Sequence, residues 1–237
     1  MGYYCAIDLG TTNTVFAYGM INPRSGNIEA KTLKMKMKSA TGGIETSQLV
    51  PSCVFIENIN EKEIIPVVGP YAKHMASINP QNVVRSVKSS MGTDRIYEMA
   101  STKFSPSDIS SFILKFVLNN AKELFKSMPD DVVITVPASF DSDMRLATIE
   151  AAKNAGIKTV NEDGTERNIL LDEPRAALFN FVSDIDMGNV PETVVDLSSP
   201  KNILVYDLGG GTLDVSLHKV WRDENQKVKI EDYAISL

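Results

Sequence analysis

Two stretches decide the fold: AIDLGTTNTVFAYG at Ala6–Gly19 and VYDLGGGTLDVSLH at Val205–His218. In each, an apolar run reads as a strand and ends in Asp-Leu-Gly, at Asp8-Leu9-Gly10 and at Asp207-Leu208-Gly209. A small-residue turn and a second β-rich run follow both times. Self-similarity fixes architecture before local detail does, and a separation this long predicts two lobes of related topology instead of a solenoid. Gly10-Thr11-Thr12 and Gly209-Gly210-Gly211 carry little bulk, so backbone N–H groups can converge on an anion there. Thr11, Thr12 and Thr212 add hydroxyl donors, and Asp8 and Asp207 supply hard oxygens suited to a hydrated Mg²⁺. One such turn is an ordinary β-turn, but the pair predicts a clamp for nucleotide phosphates.

Outward from these stretches the chain alternates strands and helices, the pattern of an α/β protein. Asn22–Asn27 reads as a turn, and Lys31–Lys38 (KTLKMKMK) as one half-solvated strand whose lysines form a solvated face. Ala40–Ser47 reads as a loop, with a strand pair at Val50–Glu57 and Glu63–Val68. Ser105-Pro106-Ser107-Asp108 combines a cap, a Pro at the first helical position and an acid at the third. The helix it opens carries one apolar stripe through Ile109, Phe112, Ile113, Phe116, Val117, Ala121, Leu124 and Phe125. Asp130–Pro137 reads as a central strand, and Asp141–Ala155 as a helix closed by Gly156. Asn168–Leu171 reads as a short strand and Glu173–Phe181 as a helix. Asp184–Pro200, with a Gly, two Pro and paired Ser, reads as a connector before strands at Ile203–Leu208, Leu213–Val220 and Lys227–Ile235.

Composition narrows the function. The 237 residues include 24 Lys+Arg against 30 Asp+Glu, a formal charge of -6, which argues against a dedicated nucleic-acid coat. A chain this long can bury roughly 70% of its unfolded surface. No run approaches the ~20 apolar residues that cross a bilayer, and the start lacks the basic-then-apolar pattern of a signal peptide. Cys5 and Cys53 lie in strand-like runs without paired spacing, as buried thiols of a reduced cytoplasm would. His74 and His218 have no carboxylate or Cys at ligand spacing, so neither is assigned a site.

The pairing of DLGTTNT with DLGGGTLDV resembles the actin-like ATPase superfamily, and more closely the nucleotide-binding domain of the seventy-kilodalton heat-shock chaperones. VVITVPASFDSDMRLATIEAAKNAGI at Val132–Ile157 is similar to that family's strand-Pro-helix segment, and LLDEPRAAL at Leu170–Leu178 to its Glu-Pro motif. VPSCVFIE at Val50–Glu57 and NPQNVVRSVKSSMG at Asn79–Gly92 resemble its Pro-Ser strand and its catalytic-lysine segment. The matches run in order along nearly the whole chain.

The resemblance implies a lobe built on a mixed five-stranded sheet flanked by helices over residues 1–184. An inserted subdomain would occupy about 38–105, a connector 185–200, and the start of a second lobe 201–237. It implies Mg²⁺ and ATP/ADP as cofactors, with Asp8, Asp207 and Asp214 around the metal and Gly10, Thr11, Thr12, Asn13, Gly209, Gly210, Gly211 and Thr212 on the phosphates. Lys88 would hold the γ-phosphate and the attacking water, Glu173 would orient that water, and Asp207 would assist. Pro137 and Arg145 match a Pro and an Arg that relay nucleotide state between domains. For Glu173 an alternative is a first-turn carboxylate favouring the helix dipole.

Three positions depart from the family pattern. Arg175 follows Glu-Pro where a small polar residue is usual, which puts a cation near the phosphates or in solvent. Ser89 follows Lys88 where Arg is usual, and Ser139 replaces an aromatic. The chain also reads as an N-terminal fragment of a divergent member. The expected activity of the intact protein is ATP hydrolysis in the cytoplasm, acting on client polypeptides and co-chaperones through regions beyond residue 237, with neither nucleic acid nor membrane as partner. Either a homodimer through residues 203–235 or a mobile tail beyond Pro200 is expected, because a three-stranded meander is marginal alone and its apolar face lacks a cover. Two other readings remain open: a sugar- or acetate-type kinase of the same superfamily, and a nucleotide sensor that does not hydrolyse.

Overall fold

A computed structural model describes residues 2–21, 28–60, 63–191, 193–210 and 213–236. The chain divides into two compact units, Met1–Ile134 with Asp141–Leu170, and Thr135–Phe140 with Leu171–Leu237.

In the first unit, β1 (Tyr4–Leu9) alternates strictly, with Cys5, Ile7 and Leu9 buried and Tyr4, Ala6 and Asp8 exposed. That is the period of a strand covered on one face. It pairs antiparallel with β2 (Asn13–Ile21), which pairs with β3 (Ile28–Thr32). The turn expected at 22–27 lies outside the described residues. The single strand expected over Lys31–Lys38 is broken: β3 ends at Thr32, and β4 (Met35–Lys38) pairs instead with β5 (Ile44–Ser47), inside the expected loop. The alternation itself holds, since Leu33, Met35 and Met37 are buried while Lys34 and Lys36 are exposed. Periodicity specifies the covered face of a strand but not its partner.

β6 (Val50–Pro51) pairs with β2, and β7 (Cys53–Asn60) lies between β8 (Glu63–Val68) and a strand that follows α1 (Pro70–Met75), namely β9 (Val83–Arg85). Ala72 of α1 packs on Cys53 and Phe55. A hairpin of β10 (Tyr97–Met99) and β11 (Thr102–Phe104) leads into α2 (Pro106–Phe125). The Ser105 hydroxyl accepts from the Asp108 N–H at 3.1 Å, and the Asp108 carboxylate accepts from the Ser105 N–H at 2.9 Å, a complete capping box. Ile109, Ile113, Val117 and Ala121 are fully buried, joined by Leu114 and Leu118. Leu124 is exposed, contrary to the expected stripe, while Phe125 of the same turn keeps its ring 4.3 Å from that of the buried Tyr3.

β12 (Asp131–Val136) buries Val132, Ile134 and Val136, and α3 (Ser142–Asn154) opens on an Asp141 carboxylate that accepts from the Met144 N–H at 2.9 Å. With β13 (Leu170–Asp172) the main sheet has the order β13-β12-β1-β2-β3, and the two-residue β6 is a sixth strand beside β2. Sheet and helices together make an α/β protein.

The second unit holds α4 (Glu173–Asp186), which runs past its expected end at Phe181. It also holds an antiparallel meander of β14 (Lys201–Leu208), β15 (Leu213–Arg222) and β16 (Val228–Ser236). Leu178 and Val182 of α4 bury against Leu197 and Val220, with Ile203, Val205 and Ile230 packed around them. The connector is therefore not loose, for Leu197 is a core residue and its carbonyl accepts from the Arg222 N–H at 2.9 Å. Arg222 also pairs with Asp186. Leu178 and Val182 of α4 thus share one core cluster with Leu197 and Val220.

Candidate functional site

The two Asp-Leu-Gly hairpins have the same register. In the first, Asp8 pairs with Val15 and Leu9 with Thr14, so the turn is Gly10–Asn13. In the second, Asp207 pairs with Asp214 and Leu208 with Leu213, the same spacing of cross-strand partners. The repeat seen in sequence is thus a repeat of backbone pairing. Gly211 and Thr212 lie outside the described residues.

The first turn leaves no room for a side chain at its opening. A Cβ on Gly10 would stand 2.3 Å from the Asn13 carbonyl oxygen, so only glycine permits this closure. Ser52 braces it from below. Its hydroxyl donates to the Gly10 carbonyl at 2.7 Å and lies 2.9 Å from the Thr14 hydroxyl, while its N–H donates to the Thr12 carbonyl at 2.8 Å. Because the single Ser52 proton goes to Gly10, Thr14 is the donor in the other contact. Asp8 and Thr12 are exposed at the hairpin end, with Thr11 and Asn13 partly covered. Sequence reading took the Pro-Ser strand as a family mark and missed Ser52 as the support of the turn. Its partners are 42 and 38 positions away, beyond any local signal.

In the second hairpin Asp207 and Asp214 are cross-strand partners, both partly buried. The Ser139 hydroxyl donates to Asp214 Oδ1 at 3.1 Å, which gives the unexpected Ser a role. Two carboxylates opposite each other on paired strands repel, and a cation relieves that repulsion. Among the described residues no three acids, His or Cys form a metal cluster. A pair of acids fits Mg²⁺, which keeps most of its water and uses one or two protein carboxylates beside phosphate oxygens.

Lys88 belongs to a single 3₁₀ turn, Val87–Ser90, and only 8% of it is exposed. Burial of an ammonium is tolerated when it is held by partners, which fixes its position. Ser86 enters the turn at φ 55°, and Ser89 closes it by donating its hydroxyl to the Ser86 carbonyl at 2.8 Å. Past the turn, Gly92 lies so near α3 that a Cβ would meet the Met144 nitrogen at 2.7 Å. Only glycine lets the chain that follows the Lys88 turn run this close to that helix.

Glu173 is the first residue of α4, partly buried, with Pro174 covered beside it. Pro137 is buried in the turn after β12, accepting from the Phe140 N–H at 3.1 Å, and Arg145 sits in the first turns of α3. Asp8, Lys88 and Arg145 lie in the first unit, whereas Pro137, Glu173, Asp207 and Asp214 lie in the second. Arg175 pairs with Asp232, its Nη2 2.7 Å from Oδ2. His218, left without a role in the sequence, meets that same carboxylate.

An α/β chain with a repeated Asp-Leu-Gly hairpin and a buried lysine turn belongs to a recognisable class, and comparison with known proteins identifies it. The family model for Hsp70 protein matches residues 5–229, and this chain belongs to the Hsp70 family. It is 34% identical over 211 residues to the chaperone protein DnaK of Methanothermobacter thermautotrophicus, covering 89% of this chain and 30% of that one. It is 32% identical over 218 residues to DnaK of Thermotoga maritima, covering 92% and 30%. DnaK of Nitrosopumilus maritimus is 32% identical over 217 residues, covering 92% and 29%. The chain thus spans about 30% of the length of these relatives. Among the described residues no helix is long and apolar enough to cross a membrane.

Proposed function

We propose that the intact protein is an Mg²⁺-dependent ATPase whose hydrolysis drives a conformational cycle on client polypeptides, assisted by co-chaperones, in the cytoplasm. The observation that carries this reading is the equal register of the two hairpins, Leu9 with Thr14 and Leu208 with Leu213. A family likeness alone would not require both Asp-Leu pairs to meet their return strands in the same register. In this reading residues 1–184 descend from the first lobe of an actin-like ATPase, with an insert at about 38–105. Residues 185–200 are the connector, and 201–237 open the second lobe.

The residues take distinct parts. Gly10–Asn13 and 209–212 offer backbone N–H groups and hydroxyls to phosphate oxygens. Asp8, Asp207 and Asp214 hold hydrated Mg²⁺, which neutralises phosphate charge when bound. Lys88 offers its ammonium to the negative charge of the γ-phosphoryl group in the transition state, and its buried turn keeps it oriented before the substrate arrives. Glu173 accepts a hydrogen bond from the attacking water and so orients it. Pro137 and Arg145 pass the nucleotide state to the rest of the protein. Support for a second copy as partner comes from Leu204, Tyr206 and Leu208 of β14, which are exposed on one face.

The test is single-turnover hydrolysis by the intact protein and its Lys88→Ala variant, beside calorimetric binding of Mg-ATP. Turnover should fall about 100-fold or more with affinity changed only a few-fold, because the lysine acts on transition-state charge. Hydrolysis at the unsubstituted rate would remove Lys88 from the mechanism. Phosphate release that requires an added sugar or acetate would show a kinase instead.

A further inference from the structure

One polar chain in the second unit, buried only at its Ser216 and His218 end, is not used by the reading above. His218 on β15 is 1% exposed and makes two contacts: Nδ1 lies 2.7 Å from Asp232 Oδ1, and Nε2 lies 2.8 Å from the buried Ser216 hydroxyl. A carboxylate only accepts, so Nδ1 carries the proton and donates to Asp232. The other oxygen of Asp232 accepts from Arg175, at 2.7 Å from Nη2 and 3.2 Å from Nε. One carboxylate on β16 thus ties the imidazole of β15 to a guanidinium in the first turn of α4. Burial alone would raise the Asp232 carboxyl, but the hydrogen bonds and charges of Arg175 and His218 outweigh it and hold the group below its ordinary value.

What the chain of contacts does follows from how α4 begins. Its N-cap, Asp172, makes no side-chain cap hydrogen bond, whereas α2 and α3 both open on capping side chains. The buried apolar anchors of α4 are Pro174, Leu178 and Val182. Between Pro174 and Leu178, Arg175 supplies a polar tether on another side of the first turn. Two anchors on different sides of one turn fix its rotation about the helix axis, which an apolar stripe alone does not. Glu173 is in that turn.

We infer that Ser216, His218, Asp232 and Arg175 form a positioning network that sets the orientation of Glu173 for its part in hydrolysis. The inference rests on the ATPase reading above. Arg175 and Asp232 are positioning residues, and the position at which the sequence departs from its family becomes the outer end of the network. The serine and histidine inside it are too deeply buried to meet a substrate, so their arrangement serves orientation and not nucleophilic attack.

The experiment uses the intact protein with Arg175→Ala, Asp232→Ala, the double variant, and Arg175→Lys as the conservative change. Amide exchange is read at Ala177, Leu178 and Phe179, whose N–H groups bond the carbonyls of Glu173, Pro174 and Arg175 by helix geometry. Each single alanine variant should speed that exchange about tenfold and lower single-turnover hydrolysis about tenfold, with Mg-ATP affinity within about twofold. The double variant should be no worse than either single one, and Arg175→Lys should recover part of both effects. Unchanged exchange in Arg175→Ala overturns the network. Faster exchange with normal hydrolysis overturns the positioning role while leaving the ATPase reading in place. Absence of hydrolysis in the unsubstituted protein overturns the ATPase reading and the positioning role with it, whatever the exchange shows.

Discussion

Asp207 and Asp214 stand directly opposite each other on β14 and β15, with the Ser139 hydroxyl donating to Asp214. Side chains of such a pair emerge on one face, about 5 Å apart at Cβ, and like charges there are destabilising. The strands are otherwise well paired along their whole length, from Lys201 with Val220 to Leu208 with Leu213.

The first prediction follows from that repulsion. Asp214→Asn should stabilise the protein in a chelator by about 0.5 kcal/mol, the size of an ordinary cross-strand term. It should also abolish most of the added stability that Mg²⁺ with ADP confers on the unsubstituted chain. Thermal unfolding with chelator and with Mg-ADP reads both effects. An equal Mg-ADP response in the two proteins would separate Asp214 from the metal.

Ser52→Ala should destabilise the chain by about 2 kcal/mol, because the Gly10 carbonyl and the Thr14 hydroxyl both lose a buried partner. Urea unfolding checks the figure through the midpoint at constant slope. Mg-ADP affinity should fall as well, since the turn that Ser52 braces is the one offered to phosphate. A variant with lowered stability but normal affinity would confine Ser52 to the fold.

Much of the frame was legible in the sequence because it is encoded locally. The capping box at Ser105 and Asp108, the alternation of Tyr4–Leu9 and the paired Asp-Leu-Gly turns each depend on neighbours within a few residues. The parts not read depend on partners far along the chain. Lys31–Lys38 shows a clean period, yet its break at Leu33 is set by which strand each half pairs with. Ser139 waits for Asp214, 75 positions on. His218 is the instructive miss. Ser216 and His218 share one face of β15, and Asp232 comes only 14 positions later across the next hairpin. A polar pair on the buried parity of a strand was signal enough to ask for a partner, where a search limited to ligand spacing found none.

Cys5 and Cys53 give a pH prediction. Burial pushes the Cys5 thiol up to about 12, helped by the Asp131 charge, and the Cys53 thiol to about 11 against the opposing pull of Arg85 and Lys73. The unfolded chain ionises its thiols near 8.5. Folded thiols therefore hold their protons where unfolded ones have lost them, so stability is full below about pH 8.5 and declines from there, towards about 11 for Cys53 and about 12 for Cys5. Urea midpoints at pH 7.5, 9 and 10 should fall in that order, and a Cys5→Ala, Cys53→Ala chain should flatten the thiol part of the slope. Native thiols should also resist a disulfide reagent at pH 8 until the protein unfolds. Rapid native labelling of both would contradict their burial.

The last prediction concerns the outer face of the meander. Leu204, Tyr206 and Leu208 of β14 are 60%, 64% and 77% exposed, and Leu213 on β15 is 44% exposed. The pairings Leu204 with Leu217, Tyr206 with Val215 and Leu208 with Leu213 set these side chains on one face. The opposite face is closed by α4 and Leu197. An exposed apolar set of this kind on a short sheet favours association, and the proposed second copy would cover it with its own equivalent face. Light scattering of the chain across a concentration series should show a dimer, and the Tyr206→Glu, Leu208→Glu double variant should be a monomer with little change in its unfolding midpoint. Those substitutions suit the test because the side chains they replace touch little in the folded unit. Ending the chain at Asp184 would be a poorer comparison, since Leu178 and Val182 would lose Val220 and Leu197 and the helix would be left without its core. A monomer at every concentration for the unsubstituted chain would show that the meander is stable with only one face covered, and the dimer would be excluded.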